Sequence, residues 1–315
     1  MLLGLDLPTL AVLAWLGVLL DWCVGEVRRW HPLVGFGNVA NALERRLNRG
    51  RGLIWRGTIG WILAVIPLTL LALLLCSLDY AGLALHGVLL YFCIGLRSLR
   101  DHTQPIAHAL QQGDLPLARA LTARIVSRDT AHSDTVALSK AATESLLENG
   151  NDAVFGTLFW FVLTGGPGAL LFRLANTLDA MWGYRTPRFN QFGRGAARID
   201  DGLNWLPARL TALSYCALAA TTAGRRRAWH CWRTQAPAWS SPNAGPVMAS
   251  GAGALGLALG GIAVYGGVSE QRPPLGLGSA PGADDIARAG RLVTLTALLW
   301  LGLLSLAAVG GHFWM

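Results

Sequence analysis

The chain has 315 residues, of which 53% are hydrophobic and only 14% are charged. This composition excludes an ordinary soluble domain of this length and predicts a protein that crosses a membrane several times. The net charge is +8, and of the 26 basic residues only Lys140 is a lysine. Basic loops typically mark the cytoplasmic side of a membrane and an anionic lipid surface, and they also suit phosphorylated substrates.

Several stretches approach the roughly 20 apolar residues that a helix needs to cross a hydrocarbon core. They cover about residues 7–20, 58–78, 82–96, 153–172, 206–223, 246–264 and 292–310, and not all of them need cross. The first is expected to be a retained helix, because it lacks the basic start and the cleavage site of a secretory signal peptide. Strand patterns are absent, so we predict an all-α, polytopic integral membrane protein with a single domain over residues 1–315.

Between the first apolar stretches lie a basic loop at 21–57 and a polar segment at 97–152. The polar segment alternates charged with small apolar residues, which predicts two or three amphipathic helices. Asp114, followed by Leu115 and Pro116, is a good helix N-cap. If loop 21–57 is cytoplasmic, the segment 97–152 is a cytoplasmic helical insert beside the membrane.

The apolar stretch 153–172 creates a conflict with the positive-inside rule. If it crosses the membrane, the arginine-rich segment 173–205, predicted as a polar site loop, lies outside. Either the rule is broken, or the stretch does not cross. Its "LTGGPGAL" places three glycines and Pro167 late in the apolar run, where they would break a helix and turn the chain back as a re-entrant hairpin. We favour the hairpin, which places both flanking polar segments in one compartment.

Towards the C-terminus, two more polar loops are predicted, at 224–245 and 265–290. The stretch between them, 246–264, is rich in glycine and alanine. Such a composition suits close helix packing better than exposure to lipid. This stretch is therefore a second candidate for an apolar segment that does not cross.

Three acids precede the apolar run at 153. Glu144, Glu148 and Asp152 recur every four residues, so on a helix they share one face. For Glu148, Asn149 and Asp152 together, a functional site and a solvated, capped helix end are equally good explanations. Glu144 by itself is better explained as a solvated helix residue.

A second polar cluster occupies residues 174–213, where the adjacent Asp200 and Asp201 lie among several arginines. Arginine forks bind phosphate or carboxylate, and aspartates with asparagine carbonyls offer the hard oxygen ligands that Mg²⁺ prefers. This mixture suits a nucleotide-phosphate site, although an intramembrane ion-pair network gives a similar pattern.

A continuous helix through this cluster would place four side chains on one stripe: Arg198, Asp201, Trp205 and Arg209. Pro207 opposes a continuous helix, because proline is comfortable only in a first turn. Asn204 is then explained as the N-cap of a helix that follows.

A third cluster lies near the C-terminus. "SSPNAG" (240–245) has turn chemistry and by itself indicates a loop. In "VYGGVSEQRPPLG" (264–276), Gly266 and Gly267 would permit a close approach of the backbone to a ligand, and a capped helix end is the alternative.

Several common signatures are absent from the sequence. The five cysteines have no metal-ligand spacing, and no disulfide framework is predicted. P-loop, GxGxxG, HExxH and GxSxG motifs are also missing, which argues against a conventional ATPase, dehydrogenase or protease. The scattered histidines are expected to be packed or solvated.

Together the clusters resemble the adenosylcobinamide-phosphate synthases, the CobD/CbiB family, over roughly residues 15 to 290. The resemblance is carried by "DWCVGEVRRWHPLVGFG", "GLRSLRDH", "ATESLLENGND", "RLANTLDAMWGYRTPRF", "RIDDGLNWLPARL", "SPNAG" and "YGGVSEQRPPLG". It implies an integral enzyme of the bacterial cytoplasmic (inner) membrane that acts in cobalamin biosynthesis, with its active site facing the cytoplasm. The reaction joins a propionate carboxylate of adenosylcobyric acid to the amine of (R)-1-amino-2-propanol, or of its O-phosphate.

The same resemblance implies ATP and Mg²⁺ as cofactors, with the corrinoid as substrate. The lipid bilayer and other membrane enzymes of the pathway are expected partners, and no nucleic acid is expected. Motif matches give catalytic roles to Glu148, Asp152, Asp200 and Asp201, and the last three are also candidate Mg²⁺ ligands. Candidate substrate- or ATP-binding residues are Arg128, Asn149, Asn176, Asp179, Tyr184, Arg185, Thr186, Arg198, Asn204, Arg209, Ser241, Asn243, Tyr265, Gly266 and Gly267.

One motif departs from the family. Gly25, His31 and Pro32 match its first motif, but the Asp-Pro pair of that motif is missing here. Two other classes of function remain open. A corrinoid or small-cation transporter would explain acids near a broken helix without any bond formation. A sensory relative that has lost catalysis is the other alternative.

Overall fold

The computed structural model describes residues 5–27 and 32–312, and it is built mostly of α-helices. The helices of the described part are α1 (Leu7–Val24), α2 (Pro32–Leu47), α3 (Leu53–Cys76), α4 (Asp79–Cys93), α5 (Leu96–Gln111), α6 (Leu115–Thr122), α7 (Thr135–Gly150), α8 (Gly156–Trp182), α9 (Arg194–Ala217), α10 (Thr222–Gln235), α11 (Ala244–Leu255) and α12 (Ala283–His312). A π-helical turn, Asn151–Phe155, joins α7 to α8. His31 lies outside the described residues.

The chain divides into two compact units. The first unit comprises Met1–Gly95, Asp152–Asn204 and Leu301–Met315, and the second comprises Leu96–Asn151 and Trp205–Trp300. Most of the predicted insert 97–152 belongs to the second unit. It forms the three helices α5 to α7, and Asp114 caps α6 by accepting a hydrogen bond from the N–H of Leu117 at 3.0 Å.

Five helical segments in the described part are long and apolar enough to cross a membrane. They are Leu7–Val24, Leu53–Cys76, Asp79–Gln111, Thr135–Trp182 and Ala283–Gly310. The predicted membrane character of the chain is therefore confirmed at the level of helix length and composition. The apolar stretches 206–223 and 246–264 do not belong to this set.

The core of the first unit forms where α2, α3, α8 and the start of α9 meet. Trp61, Leu178, Trp182 and Phe192 are at least 94% buried there. Trp182 and Phe192 pack edge to face, with their ring centroids 5.0 Å apart. This contact fixes the two ends of the polar loop 183–193, because one ring ends α8 and the other precedes α9.

The range of α8 contains a sharp break. Thr164 leaves the helical conformation, and Gly165 has a φ of +66°, which favours glycine. A Cβ atom on Gly156 would lie only 2.1 Å from the Phe172 ring. In an uninterrupted helix these residues would be roughly 24 Å apart. The chain therefore reverses at the turn that "LTGGPG" predicted.

A histidine of α4 holds this turn. The Nδ1 atom of His86 accepts a hydrogen bond from the backbone N–H of Gly166 at 2.8 Å, in a buried position. The first N–H groups of a helix have no partner within it, so His86 satisfies one of them. It is a packed histidine, as expected for an isolated one.

In the second unit, the stretch 246–264 is not one helix. Its first part belongs to α11, which is almost completely buried, and a Cβ on Gly251 would lie 2.8 Å from Leu147. The expectation of close helix packing is confirmed for this part. The chain then leaves the helix at Gly256, where φ is +72°.

The remainder forms a β-hairpin, which corrects the prediction of a purely α-helical fold. Strands β1 (Leu259–Tyr265) and β2 (Val268–Leu275) are antiparallel, and Tyr265 pairs with Val268. Gly266 and Gly267 have φ values of +55° and +80°. Two consecutive positive φ angles are typical of two-residue hairpin turns. "AVYGGVSEQ" therefore contained a hairpin signal, whereas the sequence was interpreted as a ligand-binding turn or a capped helix end.

Three segments predicted as polar loops are mainly regular structure. Segment 173–205 consists of the end of α8, a short loop and the start of α9. Segment 224–245 is mostly α10, and segment 265–290 contains β2 and the start of α12. Many of their polar side chains therefore lie on helices and a strand rather than on loops, because burial of one face is enough to hold an amphipathic helix.

Candidate functional site

The first unit gathers acids and amides around Asp200, which is buried in α9. Asn176 donates a hydrogen bond to its Oδ1 at 3.4 Å, and Asn204 donates one to its Oδ2 at 3.1 Å. Asn204 is only 1% exposed. The two amides therefore fix the orientation of the Asp200 carboxylate.

Asn204 lies in the middle of α9 and is not an N-cap, which corrects the prediction made from Pro207. Proline has no N–H, so Pro207 leaves the carbonyl of Leu203 without its usual helical donor. The indole Nε1 of Trp160 donates to that carbonyl at 3.0 Å. This bond explains how the helix continues through Pro207.

Two further aspartates lie close to Asp200. Burial and the negative charges of Asp152 and Asp179 raise the pKa of Asp200 well above its ordinary value, and the two asparagine hydrogen bonds oppose this increase. Burial also raises the pKa of Asp201, and the positive charge of Arg185 opposes this increase. The cluster thus brings several carboxyl groups together in a partly buried site.

The chain reversal in α8 explains how Asp152 and Asp179 meet. Asp152 belongs to the π-helical turn before α8, and Asp179 lies in the last turn of α8. Residues 27 positions apart would be separated by roughly 40 Å in a straight helix. Because the chain turns back at Gly165, the two carboxylates approach the same cluster. π-helical turns are frequent at functional sites.

Arg173 and two acids extend this cluster and were missed by the sequence analysis. The guanidinium of Arg173 interacts with the charges of Glu26, Asp152 and Asp21. Asp21 lies within α1 and is only 2% exposed. An acid inside an apolar helix is costly, which was a usable signal. Glu26 supplies a carboxylate in the motif that lacks the family's Asp-Pro.

The loop between α8 and α9 carries three of the predicted binding residues, Tyr184, Arg185 and Thr186, and all three are exposed. The loop is anchored by Arg188, whose Nε and Nη2 donate to the Glu44 carboxylate at 3.0 and 2.6 Å. The Arg188 hydrogen bond lowers the pKa of Glu44. Arg198, the last candidate of this unit, is exposed on α9.

In the second unit, Glu144 is buried, which corrects the prediction of a solvated residue. It is 2% exposed and accepts hydrogen bonds from Arg128, from Arg272 at 2.8 and 3.3 Å, and from the N–H of Gly260 at 2.7 Å. Both arginines and β1 are thereby tied to α7. The predicted clamp residue Arg128 is thus engaged by Glu144.

A second group in this unit surrounds Arg209. Its Nη1 donates to Asn243 Oδ1 at 2.7 Å and to the carbonyl of Trp205 at 2.9 Å. The guanidinium also lies 4.7 Å from the Trp205 ring centroid, within the range of a cation–π interaction. The Ser241 hydroxyl accepts hydrogen bonds from the N–H groups of Asn243 and Ala244 at 3.3 and 3.2 Å, in the turn that leads into α11. The structure thus brings Arg209, Ser241 and Asn243 together.

The remaining candidates of the second unit are less concentrated. Glu148 and Asn149 are half-buried on α7, and Asn149 donates to Ser145. At the hairpin tip, the N–H of Gly267 donates to the Asp129 carboxylate at 2.7 Å. This bond gives the Gly-Gly turn a structural role. Gly266 is the other residue of this turn, and Tyr265 is the last residue of β1 before it.

The side chains of the acidic cluster do not by themselves form a complete metal-binding site. Across residues 5–27 and 32–312, no three histidine, cysteine or acidic side chains are grouped closely enough to hold a metal ion. Mg²⁺ in nucleotide sites is typically bound through one or two carboxylates, water and the substrate phosphates. The arrangement therefore offers carboxylates for such an ion but not a closed site.

Comparisons with known proteins identify close relatives. The family model described as "CobD/Cbib protein" matches residues 14–293. The Cobalamin biosynthesis protein CobD of Stutzerimonas stutzeri is 56% identical over 286 residues, which are 90% of this chain and 93% of that protein. The namesake from Chromobacterium violaceum is 51% identical over 93% of this chain and 95% of its own length. One from Mycobacterium tuberculosis is 35% identical over 96% of both chains. No solved structure matches the chain.

Proposed function

Because the chain belongs to the CobD/CbiB protein family, we propose that it acts in cobalamin biosynthesis as an ATP-dependent, amide-forming enzyme. Its substrates would be adenosylcobyric acid and (R)-1-amino-2-propanol or the O-phosphate of that amine. The observation that carries the proposal is the oriented, acid-rich cluster around Asp200 in a member of this family.

The reaction requires activation of a carboxylate, because a carboxylate does not react with an amine at neutral pH. A carboxylate oxygen of the corrinoid attacks the γ-phosphorus of ATP, which forms an acyl phosphate and releases ADP. The amine nitrogen then attacks the acyl carbon and loses a proton, and inorganic phosphate leaves with the bonding electron pair. The protein must therefore hold phosphate, neutralise its charge and accept one proton.

We assign the proton transfer to Asp200. Two asparagine amides hold its carboxylate, and a general base must be positioned within hydrogen-bond reach of its proton. Of the three predicted Mg²⁺ ligands, Asp152 and Asp201 would then hold the ion, and Asp200 would act as the base. A cation suits this cluster, because neighbouring negative charges already disfavour ionisation of Asp200. When bound, Mg²⁺ would neutralise charge on the transferring phosphate.

Three arginines of the first unit could bind the phosphates of ATP and the carboxylate of the corrinoid. Arg185 lies near Asp201 on an exposed loop, and Arg198 is exposed on α9. The Nε of Arg173 is buried and has no hydrogen-bond partner in the described part of the chain. Such a donor is costly to leave unsatisfied, and a phosphate or propionate oxygen would satisfy it. We propose these three arginines as clamps for ATP and the corrinoid carboxylate.

The second unit is proposed to bind substrate through Arg209 and Asn243. Arg209 stacks on Trp205, and its guanidinium has further N–H donors besides the one that binds Asn243. Arg128 is better described as a structural partner of Glu144. Glu148 and Asn149 are kept as candidates on the strength of their motif.

The enzyme is proposed to lie in the bacterial inner membrane with its site on the cytoplasmic side. The reversal at Gly165 suits a re-entrant hairpin, which keeps the arginine-rich segment 173–205 on the same side as the insert 97–152. Cysteines introduced at 186–196 and at 130–140 should react with a membrane-impermeant reagent from the cytoplasmic side. Labelling from opposite sides would refute this topology.

The function itself is tested with purified protein in detergent. Adenosylcobyric acid, ATP, Mg²⁺ and either amine should yield the amide together with ADP and phosphate. Absence of amide with both amines, from protein whose helical content is intact, would contradict the proposal. The alternative is a transporter, and it predicts corrinoid uptake into proteoliposomes without ATP-dependent amide formation.

A further inference from the structure

Helix α10 has one packed face and one basic, aromatic face. Its packed face contains Gly224, Ala228 and Cys231, which are buried. A Cβ on Gly253 of α11 would lie 2.7 Å from the Cα of Ala228, so the two helices are in close contact. The Nε of Arg227 also donates to the Gly253 carbonyl at 2.7 Å.

The opposite face is exposed and carries a net positive charge. Arg225, Arg226 and Arg233 are exposed, and Trp229 is 47% exposed between them. The Arg233 guanidinium lies 6.0 Å from the centroid of the Trp229 ring. Residues 225, 229 and 233 are four apart, so they follow one side of the helix. No acidic residue occurs in α10 to neutralise this face.

Contacts within the second unit place this face near the start of a membrane segment. Arg288 of α12 donates to the carbonyl of Leu255, the last residue of α11, at 2.7 Å. Along the exposed side of α12, Arg288 and Arg291 are followed by Leu295 and Leu298, which are 51% and 46% exposed. This change from arginine to leucine marks the boundary expected between headgroups and hydrocarbon. Because α11 contacts both α10 and Arg288, α10 lies near that boundary.

We propose that the exposed face of α10 binds the headgroups of anionic phospholipids. Arginines attract a phosphate-rich surface, and a half-exposed tryptophan suits the interface between water and hydrocarbon. The partner is a lipid rather than a free anion, because the face is a convex row of separate side chains beside an apolar surface. This inference does not depend on the proposed reaction.

The test uses the full chain in dodecylmaltoside micelles doped with dioleoyl-phosphatidylglycerol or dioleoyl-phosphatidylcholine. Thermal unfolding is followed by circular dichroism as the mole fraction of lipid increases. Phosphatidylglycerol should raise the melting temperature at lower mole fractions than phosphatidylcholine. In Arg225→Gln/Arg226→Gln, the mole fraction of phosphatidylglycerol at the midpoint of this effect should be about thirtyfold higher than in the parent.

Two variants control for charge and folding. Arg225→Lys/Arg226→Lys should keep the phosphatidylglycerol effect. Arg100→Gln/Arg124→Gln removes the same charge from exposed positions on other parts of the unit, and it should also keep the effect. Equal effects of both lipids, or an unchanged midpoint in the α10 glutamine variant, would overturn the proposal. Reproduction of the shift by inorganic phosphate alone would also overturn it, because the surface would then bind a free anion.

Discussion

Replacement of Glu144 by glutamine should destabilise the protein strongly. The carboxylate is 2% exposed and is bound by Arg128 and Arg272, whose side chains are only 13% and 8% exposed. Glutamine keeps the shape and can still accept the hydrogen bond from Gly260. It removes the negative charge, however, and leaves two buried guanidinium groups without a counter-ion.

The expected cost follows from this burial. Removal of one member of a buried ion pair typically costs about 3–5 kcal/mol, because the remaining charge stays desolvated. For a chain of this size, a loss of that magnitude lowers the melting temperature by roughly 5–8 °C. A variant that also carries Arg272→Met should recover part of the loss, since it removes one of the uncompensated charges.

Thermal unfolding in detergent, followed by circular dichroism, measures this effect. Asp101→Asn is the matched control: it breaks the exposed pair between Arg97 and Asp101, whose N–O distance is 3.2 Å. That pair should be worth less than about 1 kcal/mol. If Glu144→Gln unfolds within one degree of the parent and of this control, Glu144 is not a buried ionic anchor and the reasoning is refuted.

Three further predictions concern the first unit. Asp200→Asn should reduce the rate of amide formation by about 10²- to 10⁴-fold in the assay with both substrates, without loss of helical content, because the proposed base is removed. Gly156→Val should destabilise by about 1–3 kcal/mol in thermal unfolding, since a phenyl ring occupies the space of its Cβ, whereas Gly202→Ala should be tolerated because nothing lies within 4 Å of that position. Below pH 4.5, the ordinary pKa of Glu44, the parent should lose stability more steeply than Arg188→Gln, because the arginine holds the folded pKa lower and its benefit disappears as the carboxylate is protonated.

The sequence predicted those features that depend on local pattern. Apolar length and composition identified the membrane-like helices, and Gly165 with Pro167 identified the break in α8. Asp114 was recognised as a cap because the capping interaction spans only three residues. The acids and amides around Asp200 were found through motif resemblance, and the structure brings Asn176 and Asn204 onto that carboxylate.

Features that depend on distant partners were not predictable in this way. Pro207 should have ended a helix by local rules, but Trp160, 43 residues before Leu203, satisfies the carbonyl that the proline leaves open. Glu144 looked solvated because its two arginines lie 16 and 128 residues away. Two local signals were overlooked: Gly266 and Gly267 satisfy an ordinary turn rule, and Asp21 is an acid within the apolar helix α1.

The central claim is that ATP activates the corrinoid carboxylate as an acyl phosphate. Adenosylcobyric acid labelled with ¹⁸O in the reacting carboxylate tests this claim directly, with the released phosphate analysed by mass spectrometry. We predict one ¹⁸O atom in each inorganic phosphate formed and one in the amide carbonyl. Phosphate without the label, or label in AMP, would contradict the account.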